Sequence, residues 1–258
     1  MQWLLDTFGH KTALRVWSLV LVVLGGPLFL FLRPRLPISR ASYTHSVDFR
    51  FLYHPTFLVY EIATLIQAIG FFLPTLYLPT QAESFGASDM EASLTITVYN
   101  LATVFGCIIM GILVDHYHAT TCILVTAVGS TVAIFAIWGF TDRLVLLYVF
   151  CILYGMFAGS FSSSWAAIIR EVTKESINAD PSIVLGMLSA ARGIGNIASG
   201  PLSEALLKID FWQGSAIKAY GSEYGPLIVF TGVSAALSAL GLMAKLTTRS
   251  KNEGGRIV

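Results

Sequence analysis

Two ionisable side chains stand inside runs of apolar residues: Glu61, within Leu58-Val-Tyr-Glu61-Ile-Ala63, and Arg192, within Leu188-Ser-Ala-Ala-Arg192-Gly-Ile194. An ionisable group in the centre of a membrane span costs about 2.5–3.5 kcal/mol on insertion scales, so each asks for a functional or structural reason. The planar fork of a guanidinium makes two parallel hydrogen bonds to a carboxylate. Arg192 is therefore expected to bind an anionic group of a solute, and Glu61 to gate that site or carry a proton. The alternative is a structural bridge between two helices. Gln67, Tyr99 and Asn100 are uncharged polar residues in similar runs. They are expected either to line a cavity or to hydrogen-bond between helices.

Other chemistry is absent from the pattern. There is no HExxH or GxSxG, and the five histidines are scattered. Gly193-x-Gly195-x-x-Ala198 fits a dinucleotide-binding spacing, but it lies in an apolar helix with no strand before it. Cys107, Cys122 and Cys151 sit in apolar runs without a CxxC partner and read as small buried hydrophobes. No catalytic residue, metal or cofactor is expected, and a net charge of +1 gives no case for nucleic acid.

The elements that must position these residues are helices in lipid. Hydrophobic residues make up 55% of the chain and charged residues 12%, with mean hydropathy +0.72; soluble domains carry about 25% charged residues. At about 1.5 Å per residue, crossing about 30 Å of hydrocarbon takes some 20 residues. Seven runs reach that length, near residues 14–32, 54–78, 92–114, 121–140, 144–168, 183–207 and 226–246. The chain is thus expected to be an all-α membrane protein of about seven transmembrane helices. Of its 16 Lys and Arg, ten fall on the side of Arg33–Arg50, Arg170, Lys174 and the C-terminal tail, five on the other, and Arg192 within a span. That asymmetry puts the C-terminus in the cytoplasm and the N-terminus outside.

Several stretches carry a family likeness. Gly111-Ile-Leu-Val-Asp115 resembles the G-x-L-x-D loop motif of the major facilitator superfamily. In that motif the Gly permits a tight helix end, and the Asp caps a neighbouring helix or pairs with a basic residue; here His116 replaces the usual following Arg. Ala191-Arg-Gly-Ile-Gly-Asn-Ile-Ala-Ser-Gly-Pro-Leu-Ser203 is similar to the eleventh helix of monocarboxylate-porter-like members, the fungal ones especially. Leu4-Leu-Asp-Thr-Phe-Gly-His-Lys-Thr-Ala-Leu-Arg15 looks like the loop before their sixth helix, and Phe71–Pro79 and Gly155–Ser163 add to the match.

The resemblance implies helices six to twelve of a twelve-helix transporter. Residues 1–32 become an extracellular segment and the first helix, 33–53 the central cytoplasmic loop, 54–246 a six-helix C-terminal half and 247–258 a cytoplasmic tail. It implies alternating-access transport of small organic solutes, monocarboxylate-like anions or neutral compounds, in the plasma membrane rather than an internal one. The expected partners are the lipid bilayer, the solute and a missing N-terminal half. A truncated chain, inactive alone, is expected; the alternative is a non-transporting fragment or a partner of another half-transporter.

One departure weakens the lactate version. The Asp and Arg that proton-coupled lactate porters carry on the eighth helix align with Thr103 and Cys107. Gly155-x-x-x-Gly159 and the Ser160, Ser162, Ser163, Ser164 cluster read as close helix packing. Pro74, Pro79 and Pro201 are expected to kink or end helices, Pro79 as a helix end.

Overall fold

The computed structural model describes residues 2–31, 49–175, 179–208 and 218–254. Arg33, Arg35, Arg40 and most of the expected 33–53 loop lie outside the described residues. The chain divides into two compact units, Met1–Ser46 and Val47–Val258. The first holds α1 (Gln2–Phe31), interrupted at Gly9, whose φ of 75° is one that L side chains rarely adopt. The Leu4–Arg15 stretch, expected as a loop, is therefore helical on both sides of Gly9. It holds no proline, and glycine alone breaks the backbone path. Phe8–Leu28 is long and apolar enough to cross a membrane, and Leu19, Val22 and Leu24 are exposed along it.

The second unit is a bundle. Its helices are α2 (Pro55–Ser84), α3 (Asp89–His116), α4 (Ala119–Val132), α5 (Leu144–Phe157), α6 (Trp165–Glu175), α7 (Pro181–Leu207) and α8 (Gly225–Gly254). A π-helical turn, Ala133–Trp138, prolongs α4, and a 3-10 segment, Gly159–Ser164, joins α5 to α6 in one rod. Seven rods result among the described residues, and the fold is the all-α membrane architecture expected. Five are long and apolar enough to span: Phe8–Leu28, Pro55–Ser84, Asp89–His116, Ala119–Trp138 and Leu144–Glu175. α7 is long enough, but its glycines, serines and Arg192 dilute its apolar character; the apolar part of α8 described in full is Gly225–Ala239.

Local chemistry sets the ends. Ser88 and Glu91 form a capping box at α3: Ser88 Oγ accepts from the Glu91 N–H at 3.4 Å, and the Ser88 N–H donates to Glu91 Oε2 at 2.8 Å. At α7 the Asp180 carboxylate accepts from the Ser182 N–H at 2.7 Å, with Pro181 in the first turn. Pro79 does not end α2, which continues to Ser84. A proline removes an N–H donor, and neighbouring groups serve the backbone instead. In the turn around Pro74, the Tyr154 hydroxyl donates to the Phe71 carbonyl at 3.0 Å and Thr75 Oγ1 to the Phe72 carbonyl at 2.8 Å.

Small residues let the rods touch. A Cβ on Gly195 would lie 2.5 Å from that of Ala68, so α7 meets α2 backbone to backbone there. A Cβ on Gly155 would lie 2.5 Å from the Tyr99 carbonyl oxygen, and one on Gly159 2.3 Å from Thr103 Oγ1. The Gly155-x-x-x-Gly159 pair thus packs α5 onto α3. Gly111 and Gly193 have no such neighbour within 4 Å. We predict that Gly195→Ala destabilises the chain in detergent by about 1–3 kcal/mol, while Gly193→Ala leaves its thermal midpoint within a degree or so. Equal effects in thermal unfolding would contradict the close approach.

Candidate functional site

α2 and α7 run parallel. Ala68 faces Gly195, and further along the Tyr77 hydroxyl donates to Ser203 Oγ at 3.0 Å. This register decides where Arg192 reaches. Its guanidinium carbon lies 4.4 Å from the centroid of the Phe71 ring and 5.9 Å from that of Trp165. Both rings offer the negative face of a π-system to the cation. Arg192 Nη1 is buried without a hydrogen-bond partner, and so is Trp165 Nε1. Two unpartnered donors thus belong to residues in contact where α2, α6 and α7 meet. Asn196, one turn beyond Arg192, leaves its buried Oδ1 unpartnered as well.

Behind Phe71 runs a column of aromatic rings. Phe71 lies 6.3 Å from Tyr154, Tyr154 5.1 Å from Phe150, and Phe150 5.1 Å from Trp138, with Tyr99 6.0 Å to the side of Tyr154. Trp138 closes the column by donating from Nε1 to Gln81 Oε1 at 2.7 Å. The π-helical turn that ends in Trp138 also offers the Phe135 carbonyl to the Tyr220 hydroxyl at 2.8 Å.

The expected residues separate into groups. Glu61 and Arg192 lie on neighbouring helices but form no ion pair: Glu61 Oε2 is buried without a partner. Phe71, over which Arg192 lies, is ten residues beyond Glu61, about 15 Å along the axis. Gln67 is buried and faces the α8 side of α2. Asn100 is exposed on α3. Thr103 donates to the Tyr99 carbonyl at 3.0 Å and the Gly155 carbonyl at 3.2 Å, so it serves the α3–α5 contact.

At the end of the bundle where α2 begins, Asp115 is exposed and borders a cavity of about 350 Å³ shared with His116, Arg170, Glu171 and Lys174. The group that reaches the end of α3 is Arg170, which donates to the Val114 carbonyl; a cation at a helix C-terminus also meets the dipole favourably. Close by, the Tyr60 hydroxyl donates to Glu171 Oε2 at 2.7 Å, and His54 lies 3.5 Å from Glu175. Among the described residues no group of His, Cys, Asp and Glu could hold a metal ion.

Trp165 and Asn196 escaped the sequence reading. Trp165 follows the serine cluster and reads as packing; the 3-10 turn before it precedes the helix that carries its ring to within 5.9 Å of the Arg192 guanidinium. Asn196 sits at i+4 from Arg192, a spacing that could have exposed it.

The profile of the Major Facilitator Superfamily matches residues 61–256. The chain belongs to the major facilitator superfamily. It is 24% identical over 220 residues to MFS-type transporter pynF of Aspergillus niger, covering 83% of this chain and 49% of the relative. It is 22% identical over 231 residues to MFS transporter asaE of Aspergillus flavus, covering 89% and 49%, and 23% identical over 231 residues to Aspyridones efflux protein apdF of Emericella nidulans, covering 89% and 46%. The chain spans about half the length of these curated relatives. It is a multi-pass integral membrane protein of a transport family rather than an enzyme family.

The site yields a stability prediction. Tyr154→Phe removes the side-chain donor to the Phe71 carbonyl, next to the Gly70 carbonyl that Pro74 leaves without its helical N–H. We expect it to destabilise the chain by about 1–3 kcal/mol, read as a lower thermal midpoint in detergent; an unchanged midpoint would show that the hydroxyl is not needed there.

Proposed function

We propose that this chain is the C-terminal part of a fungal-type, monocarboxylate-porter-like transporter, with α1 equivalent to the sixth helix and 54–246 the second six-helix half. It moves small organic anions by alternating access around a midplane site shared with an N-terminal half. The observation that carries this reading is the Arg192 guanidinium, held between Phe71 and Trp165 with a buried donor unused. A carboxylate placed there accepts from Arg192 Nη1 and Trp165 Nε1 together. The aromatic walls exclude water, which strengthens both charge-assisted bonds. The plasma membrane is the proposed location.

The separation of Glu61 from Arg192 supports a split of roles. Arg192 holds the anion, and Glu61 carries the proton from its own level of α2. A second reading, export instead of import, is favoured by the relative named for aspyridones efflux; the same anion site would then serve outward transport.

The test is uptake of radiolabelled mono- and dicarboxylates by the chain co-expressed with an N-terminal transporter half, in cells without porters of their own. We expect Arg192→Gln to cut uptake at least tenfold and Trp165→Phe to raise KM severalfold with kcat retained. Full uptake by Arg192→Gln would refute the anion site. Glu61→Gln is expected to abolish the dependence of net uptake on a pH gradient while leaving anion exchange intact. Loss of both would assign Glu61 to structure instead.

A further inference from the structure

A small polar cavity that Arg192 does not line lies inside the bundle between α2, α4, α5 and α8. Its volume is about 10 Å³, and Gln67, Ser130, Thr231 and Ser234 line it together with Phe71 and Tyr154. The four polar side chains are 8%, 5%, 1% and 6% exposed. Gln67 Oε1 and Thr231 Oγ1 are buried with no hydrogen-bond partner. The two serines have already spent their protons: Ser130 donates to the Ala127 carbonyl at 3.0 Å and Ser234 to the Thr231 carbonyl at 2.9 Å. Each keeps free lone pairs.

We propose that this cavity binds one water molecule, which bridges α2 to α8. The space suits a single water, which needs roughly 10–15 Å³ and two to four polar partners. The donor and acceptor count also fits. The water accepts the Thr231 hydroxyl proton and donates to Gln67 Oε1 and to a lone pair of Ser130 or Ser234. Both orphaned groups are then satisfied. A monovalent cation fits worse, because the lining carries no charge and a buried unpaired ion is heavily penalised. The cavity cannot close by sliding the helices together, because α2 and α8 already touch at Gly70, where a Cβ would fall 1.9 Å from Ser234 Oγ. The water fills a gap that the packing fixes, and it shares only the Phe71 ring with the anion site at Arg192.

The test is a double-mutant cycle on the purified full chain in detergent, read as the thermal midpoint. Thr231→Val is isosteric and removes the hydroxyl, Thr231→Ser keeps it, and Gln67→Leu removes the amide. With a bridging water, Thr231→Val and Gln67→Leu each lower the midpoint by about 2–4 °C. The double variant lowers it by less than the sum, and Thr231→Ser stays closer to wild type than Thr231→Val. In a dry cavity each substitution removes an unsatisfied group, so the midpoint rises and the effects add; that result overturns the proposal. A wild-type midpoint that falls when sodium is replaced by N-methylglucamine would overturn it in favour of a bound cation.

Discussion

Everything in the bundle that bears on the site depends on how closely α2 and α7 approach. Lipid tails are as apolar as leucine, so helices in a bilayer gain little from hiding apolar surface and rely on packing. Gly195 against Ala68 supplies that packing. The contact fixes the parallel register of the two helices, and the register carries Arg192 past its own level to lie over Phe71. With a larger residue at 195 the helices would part and the guanidinium would lose its ring. The π-systems over its cationic face offset part of the cost of a charge in this position, while the unpartnered Nη1 donor remains a cost that a bound anion would relieve.

The same economy of backbone shapes the rest. Prolines run through α2, a π-helical turn closes α4 and a 3-10 segment interrupts the α5–α6 rod. Each frees backbone groups that lipid cannot satisfy. Side chains answer: Tyr154 at the Phe71 carbonyl, Tyr220 at Phe135, and Ser160 and Ser164 at carbonyls of their own rod. Irregular turns of this kind recur where membrane helices line a site or bend. The aromatic column from Trp138 to Phe71 connects one end of the bundle to Arg192 through packed rings.

The helices were legible in the sequence because lipid imposes a length and a composition that no soluble context demands. The seven apolar runs matched seven rods, with ends misplaced where a proline or the Leu4–Arg15 stretch read as a terminator or a loop. Arg192 was legible for the same reason, as a charge that needs explaining in an apolar run. Its surroundings were not. Phe71 is over a hundred residues away in the chain, and only the Ala68–Gly195 register brings them together. Glu61 shows the limit from the other side: helix adjacency was foreseeable, but the direction in which a long side chain extends was not. The family motif has its Asp cap a neighbouring helix or pair with a basic residue; here Asp115 is exposed, and Arg170 reaches the backbone carbonyl of Val114 beside it. A side chain's choice between a carboxylate and a carbonyl is a matter of ångströms.

The central claim is that Arg192 recognises negative charge on the solute. The most direct measurement compares transport of one carboxylic acid with transport of its uncharged amide, matched in size and shape, by the transporter containing both halves. If Arg192 anchors the anion, the acid is carried and competes with itself, while the amide is neither carried nor inhibitory at the same concentration. Equal transport of the amide would contradict it, and would make Arg192 a structural charge held by Phe71 and Trp165 instead of the solute's anchor.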